Sequence, residues 1–168
     1  ALFTPWKIGN VEIKNSIVMC PMGGTSLFGW FELGGCHFDK EAAKLFLERA
    51  NNNVGLIIPG IAPLRDTFWG KWLWQNPKMF EDLKEFMDEI HKTGAKLFIQ
   101  LTAGMGRSWA ITELIAPLHK NKFTRALVKP IIDTSHELAS PSPQPSRWAH
   151  DIICPEMTKH QIHEIIEA

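Results

Sequence analysis

Three short, continuous apolar runs alternate with two stretches whose apolar positions recur at helical period. The first run, Ile17 to Cys20, follows two alternating pieces around Gly9-Asn10 and stops at Pro21-Met22-Gly23. Alternation about a Gly-Asn turn predicts a β-hairpin, and the continuous run predicts a strand covered on both faces. Between Asp39 and Asn51, residues Ala42, Ala43, Leu45, Phe46, Leu47 and Ala50 keep helical spacing, with Asp39 placed to cap the first turn. Val54 to Gly60 (VGLIIPG) predicts a second strand, ended by Pro59-Gly60. Asn76-Pro77 opens a second helix, because a proline lacks only an N–H that the first turn leaves unbonded; Gly94 lies past its end. Phe80, Leu83, Phe86, Met87 and Ile90 form its apolar stripe. Lys96 to Leu101 (KLFIQL) predicts the third strand. Prolines at 117, 130, 141, 143 and 145 predict irregular chain after it. Thr158 and Gln161 then spell a capping box for a third helix, from Lys159, with Ile162, Ile165 and Ile166 as its stripe.

Strand, helix, strand, helix, strand is the order of a parallel sheet covered by helices. In open α/β sheets and in closed barrels the site lies at the C-terminal strand ends. Here those ends are Pro21-Met22-Gly23, Pro59-Gly60 and Gln100. The third is the odd one: an apolar strand ends on a carboxamide, and the chain continues as Thr102-Ala103-Gly104-Met105-Gly106 before Arg107. Either Gln100 caps the sheet or it meets a ligand. No GxGxxG or GxxxxGK[ST] pattern occurs, which lowers the dinucleotide-fold and P-loop alternatives.

Composition narrows the class. The 168 residues suffice for one domain with a core, 45% are hydrophobic, and 18 basic residues balance 18 acidic ones. That balance points away from nucleic acid and membrane surfaces. No apolar run reaches the roughly 18 residues of a membrane span, and the N-terminus has no signal-peptide pattern. Cys20, Cys36 and Cys154 form no CxxC pair, which argues against a metal site and fits a reducing, cytoplasmic compartment. The seven histidines show no ligand spacing and are expected at the surface, as is an Arg65–Asp66 pair. Phe68, Trp69, Trp72 and Trp74 either line an apolar substrate mouth or pack a loop.

Four segments together resemble one family. "LFTPWKIGNVEIKNSIVMCPM", "RANNNVGLIIPG", "KLFIQLTAGMGR" and "CPEMTKHQIHEIIEA" follow, in order and at family-like spacing, the pattern of the old yellow enzyme group of NADH:flavin oxidoreductases. The 2-enoate and 2,4-dienoyl-CoA reductase branch is the most similar in flavour. The resemblance implies the N-terminal portion of a (β/α)8 TIM barrel with an N-terminal β-hairpin, residues 1–168 forming part of a single FMN-binding domain. FMN would be the cofactor and NAD(P)H the reductant, with a 4Fe–4S cluster and FAD implied only by a longer C-terminal part. Carried over by position, the cofactor-binding residues would be Pro21, Met22, Gly23, Thr25, Gly60, Gln100 and Arg107.

The flavin pyrimidine presents a carbonyl acceptor and an N–H donor, and a carboxamide such as that of Gln100 complements both in one plane. On this reading the glycines after it let the chain approach a flat ligand. Gly23 stands where many members carry Thr or Cys, which leaves Thr25 or Ser26 for that role. The His-x-Gly-Arg that follows the glutamine in many members is altered here, and Arg107 is the position affected.

The family's substrate-binding His/Asn or His/His pair belongs to a fourth strand, beyond Ala168, so no catalytic residue is assigned. The expected activity is hydride transfer from NAD(P)H through FMN to an activated C=C bond of a small unsaturated substrate. Two alternatives stay open. One is a catalytically incomplete piece whose remaining barrel comes from the same or another chain; a homo-oligomer is a separate expectation. The other is an unrelated TIM-barrel lyase or aldolase, against which Lys96 begins its strand instead of ending it.

Overall fold

The computed structural model describes residues 1–22, 25–29, 35–108 and 115–168. The chain divides into two compact units, Ala1–Gly29 with His37–Ala62 and Asn76–Leu101, and Trp30–Cys36 with Pro63–Gln75 and Thr102–Ala168.

In the first unit β1 (Trp6–Ile8) and β2 (Val11–Ile13) form an antiparallel hairpin in which Trp6 faces Ile13. Asn15 anchors it. Its side chain is buried, donates to Asn53 O at 2.8 Å and accepts from Ile17 N at 3.0 Å, while the Trp6 indole donates to Asn15 O at 2.6 Å. After β3 (Val18–Met19) come β4 (Phe28–Gly29) and β5 (His37–Phe38), an antiparallel pair. Helix α1 (Lys40–Asn51) begins where the Asp39 carboxylate accepts the amides of Glu41 and Ala42. Next are β6 (Leu56–Ile57), β7 (Ile61–Pro63), α2 (Pro77–Lys92) capped by Asn76, β8 (Lys96–Leu97) and β9 (Gln100–Thr102).

The expected parallel strands are β3, β6 and β8, in that order, with Met19, Ile57 and Leu97 as register partners. Helix α1 packs on β6, α2 on β8, and the helices on each other. Phe46, Ile57, Ile90 and Ala95 are buried in this layer. The α2 stripe differs from the pattern read off the sequence. Met79, Phe86 and Ile90 are buried, whereas Phe80 is 44% exposed, because the buried arc begins one residue earlier. Beneath the helices, the Lys14 ammonium donates to Thr93 O at 2.8 Å and Ala50 O at 3.4 Å, placing one cation at the negative ends of both.

The second unit corrects the expectation of irregular chain. Two short helices form, α3 (Ile115–Lys120) and α4 (Lys122–Val128). Pro117 is tolerated because it falls in the first turn of α3, where N–H groups have no partner within the helix. Asn121 then caps α4 through Phe123 N. Strands β10 (Gln144–Pro145) and β11 (Ile153–Cys154) pair antiparallel, and Leu138, Ile152 and Cys154 form a small core. Helix α5 (Lys159–Glu167) starts at the predicted capping box, and Ile166 on its stripe is 75% exposed.

Candidate functional site

Three of the candidate residues follow the parallel ladder at equal distances along the chain. Met22, Gly60 and Gln100 each lie three residues beyond a register partner: Met19, Ile57 and Leu97 respectively. The backbone amide of Ile58 donates to Met19 O at 2.9 Å and that of Phe98 to Ile57 O at 3.0 Å, which carries the pairing one residue past the ladder.

The first two ends are joined directly. Met22 O accepts from Thr25 N at 3.3 Å and from Thr25 Oγ1 at 2.9 Å. Gly60 N–H donates to Thr25 O at 2.5 Å. A Cβ at position 60 would sit 2.2 Å from Thr25 O and 3.1 Å from Met22 O, so the glycine is required by the turn it rests on. Its approach is to protein backbone, and its N–H is already engaged. Ser26 Oγ donates to Ile61 O at 2.7 Å and accepts from Phe28 N, so both hydroxyls near this end serve the local fold. Pro21 and Met22 are exposed.

Gln100 is exposed, and its side chain makes no hydrogen bond among the described residues. Gly23 lies outside the described residues. Arg107 is exposed and belongs to the second unit, where its carbonyl accepts from Arg147 N at 2.8 Å.

The bare segment after Gln100 has a protein partner. Gly104 takes φ +152°, and a Cβ there would meet His136 O at 2.6 Å; Gly106 N donates to Glu137 O at 2.7 Å. The glycines let this strip lie against the 136–139 backbone, a packing reason that the ligand-approach expectation did not anticipate.

That backbone leads to a buried polar cluster which sequence spacing did not announce. Arg65 and Asp133 pair at 2.7 Å, both largely buried, although 68 positions apart. Asp66 accepts from Cys36 N at 2.8 Å and Phe68 N at 3.0 Å. Arg65 and Asp66 are therefore two separate anchors and not a surface pair. His136 is buried as well, edge-on to Trp72 with ring centroids 5.4 Å apart and 3.3 Å from Glu164 Oε2. Its surface assignment fails because Trp72 and α5 cover it. Among the tryptophans, Trp72 is a packing residue beneath Arg65, while Trp69 and Trp74 are exposed.

Glu137 is 3% exposed, and its Oε2 has no hydrogen-bond partner among the described residues. Burial pushes its carboxyl up to about 7, with the nearby Asp66 charge adding to the effect. Burial, then Asp66 and Glu137, push the Cys36 thiol up to about 12, so it stays protonated and weakly nucleophilic. Asp133 behaves oppositely. Burial opposes its ionisation, yet hydrogen bonds from Ser135 and Arg65 hold its carboxyl below the ordinary range. Among the described residues no group of three His, Cys, Asp or Glu could hold a metal ion, and no helix is long and apolar enough to cross a membrane.

Comparison with known proteins adds the family. The sequence pattern of the NADH:flavin oxidoreductase / NADH oxidase family matches residues 1–168. A cinnamate reductase of Clostridium sporogenes is 29% identical over 174 residues, covering 99% of this chain and 23% of that protein. An NADPH dehydrogenase of Listeria welshimeri is 29% identical over 120 residues, covering 69% of this chain and 34% of that protein. The old yellow enzyme of Pichia sp. AKU4542 matches in fold with a TM-score of 0.64 at 23% identity, covering 99% of this chain and 40% of that one. The chain thus spans about a quarter to a third of the curated relatives it matches.

Proposed function

Because this chain belongs to the NADH:flavin oxidoreductase / NADH oxidase family, we propose that it forms the first strands of a (β/α)8 barrel that binds FMN and reduces an activated C=C bond. The observation that carries the reading is that Met22, Gly60 and Gln100 each follow, by three residues, the register partners Met19, Ile57 and Leu97 of three parallel strands. The exposed carboxamide of Gln100, without a protein partner among the described residues, fits the paired donor and acceptor of a flavin pyrimidine. Bound FMN would supply hydride transfer from a nicotinamide to the substrate β-carbon. The chain's own part is to bind and orient. Gln100 would fix the pyrimidine edge. Gly60 and Thr25 would hold the Pro21–Met22 turn beneath the ring, and Gly23 and Arg107 complete the proposed set.

The name of the cinnamate reductase relative supports an α,β-unsaturated acid as substrate class. The groups that bind the substrate carbonyl would come from further strands, in the same or another polypeptide. Exposed Ile99 and Leu101 beside Gln100 support a covering of that kind. The test is to purify the intact protein without added flavin, identify any released flavin, and follow anaerobic NADH and NADPH oxidation with and without cinnamate. FMN near one per chain and enoate-dependent oxidation are expected. A colourless protein that cleaves carbon–carbon bonds would establish the lyase alternative instead.

A further inference from the structure

The second unit holds a cavity of about 470 Å³, and one face of α4 rims it with cations. Lys122, Arg125 and Lys129 fall three and four residues apart, so their side chains share that face. Ile132, Leu138 and Pro155 supply an apolar part of the lining, and Leu138 is fully buried.

The neutral and acidic walls are already occupied with one another. The Asp133 carboxylate is held by Arg65 at 2.7 Å and by Ser135 N at 3.0 Å. Gln161 accepts from Thr158 and donates to Ser135 O at 2.9 Å. Thr134 Oγ1 lies 3.3 Å from His119 Nδ1. Burial and the Arg125 charge lower the pKa of His119, which leaves it neutral and adds no positive charge.

The three cations differ from these walls. None of them pairs with a carboxylate among the described residues, and Lys120 beside them is taken by Asp151. Glu156 is the one other carboxylate on the lining. Like charges at these spacings destabilise a helix. A helix of seven residues has little propensity to offset that. The cavity lies within the range of roughly 300–1,000 Å³ typical of small-molecule pockets. The three cations are exposed along one wall and apolar side chains lie on another, an arrangement that suits a ligand with both characters.

We propose that this cavity binds an organic anion, with a carboxylate or phosphate head on Lys122, Arg125 and Lys129 and an apolar body against Ile132 and Leu138. The site stands apart from the flavin reading and holds whether or not that reading does.

The test is calorimetric titration of the intact protein in an anion-poor buffer, using 1-naphthoate and 1-naphthyl phosphate as the two head groups and methyl 1-naphthoate as the neutral control. At least one anion should bind at one per chain, at least tenfold more tightly than the ester, and more weakly as salt rises. The stronger of the two identifies the head. The triple variant K122Q/R125Q/K129Q should lose at least tenfold in affinity without a lower melting temperature, since the substitutions relieve repulsion. Ala126→Trp keeps the charges but fills the rim, and should abolish binding; it carries the test should the triple variant fail to fold. Equal affinity for ester and anions, no anion binding, or unchanged affinity in a folded variant would overturn the proposal.

Discussion

The amide of Gly60 donates to the carbonyl of Thr25 across 2.5 Å, and this contact seats the end of the second parallel strand on the turn that ends the first. The atoms facing a Cβ at position 60 are backbone atoms, which cannot swing aside. Gly60→Ala should therefore cost about 1–3 kcal/mol, as overpacking does elsewhere. Flavin retention should fall with it, since the same turn carries Pro21 and Met22. Urea unfolding read beside flavin content is the measurement; a variant as stable as the parent would show that the turn can shift.

Gln100→Leu separates a ligand role from a structural one. The carboxamide is exposed and unpartnered among the described residues, so stability should change by no more than about 0.5 kcal/mol. FMN affinity should fall about tenfold, the equivalent of one or two hydrogen bonds. Retention of flavin at the parental level after dialysis would remove Gln100 from the site.

Glu137 makes stability depend on pH. Its folded carboxyl sits at about 7 against an ordinary 4.5, so the folded state holds the proton more tightly than the unfolded chain. The stabilisation this represents is fully present below pH 4.5 and is lost as pH rises to about 7, on the order of 3 kcal/mol in all. Glu137→Gln should flatten that part of the profile and leave the variant more stable than the parent at pH 8. Parallel profiles for the two proteins between pH 4.5 and 8 would contradict the assignment.

Arg65 and Asp133 should behave as a unit. Arg65→Met strands a buried carboxylate and should destabilise by about 3–5 kcal/mol. Adding Asp133→Asn should restore a large part of the loss. The sign of the pH effect opposes that of Glu137: the depressed carboxyl of Asp133 contributes stability that disappears as pH falls through its folded value. A double-mutant cycle measures the coupling, and additive losses would mean that the pair is not energetically linked.

Local chemistry was legible in the chain itself. Asp39, Asn76-Pro77 and the Thr158–Gln161 box set helix starts because a cap acts within three residues. The parallel order of β3, β6 and β8 followed from continuous apolar runs alternating with helical period. What tertiary structure alone decided was which surfaces meet. The sequence shows glycines at 60, 104 and 106, but only the fold reveals that they face the backbones of Thr25, His136 and the 137–139 segment. Arg65 and Asp133 carry no mutual signal across 68 positions, and His136 looks like any surface histidine until Trp72 and Glu164 close over it. Caps and periodicity are short-range and leave a pattern in neighbouring residues. Burial and ion pairing depend on loops that bring distant segments together, and their energy is defined only once those segments touch.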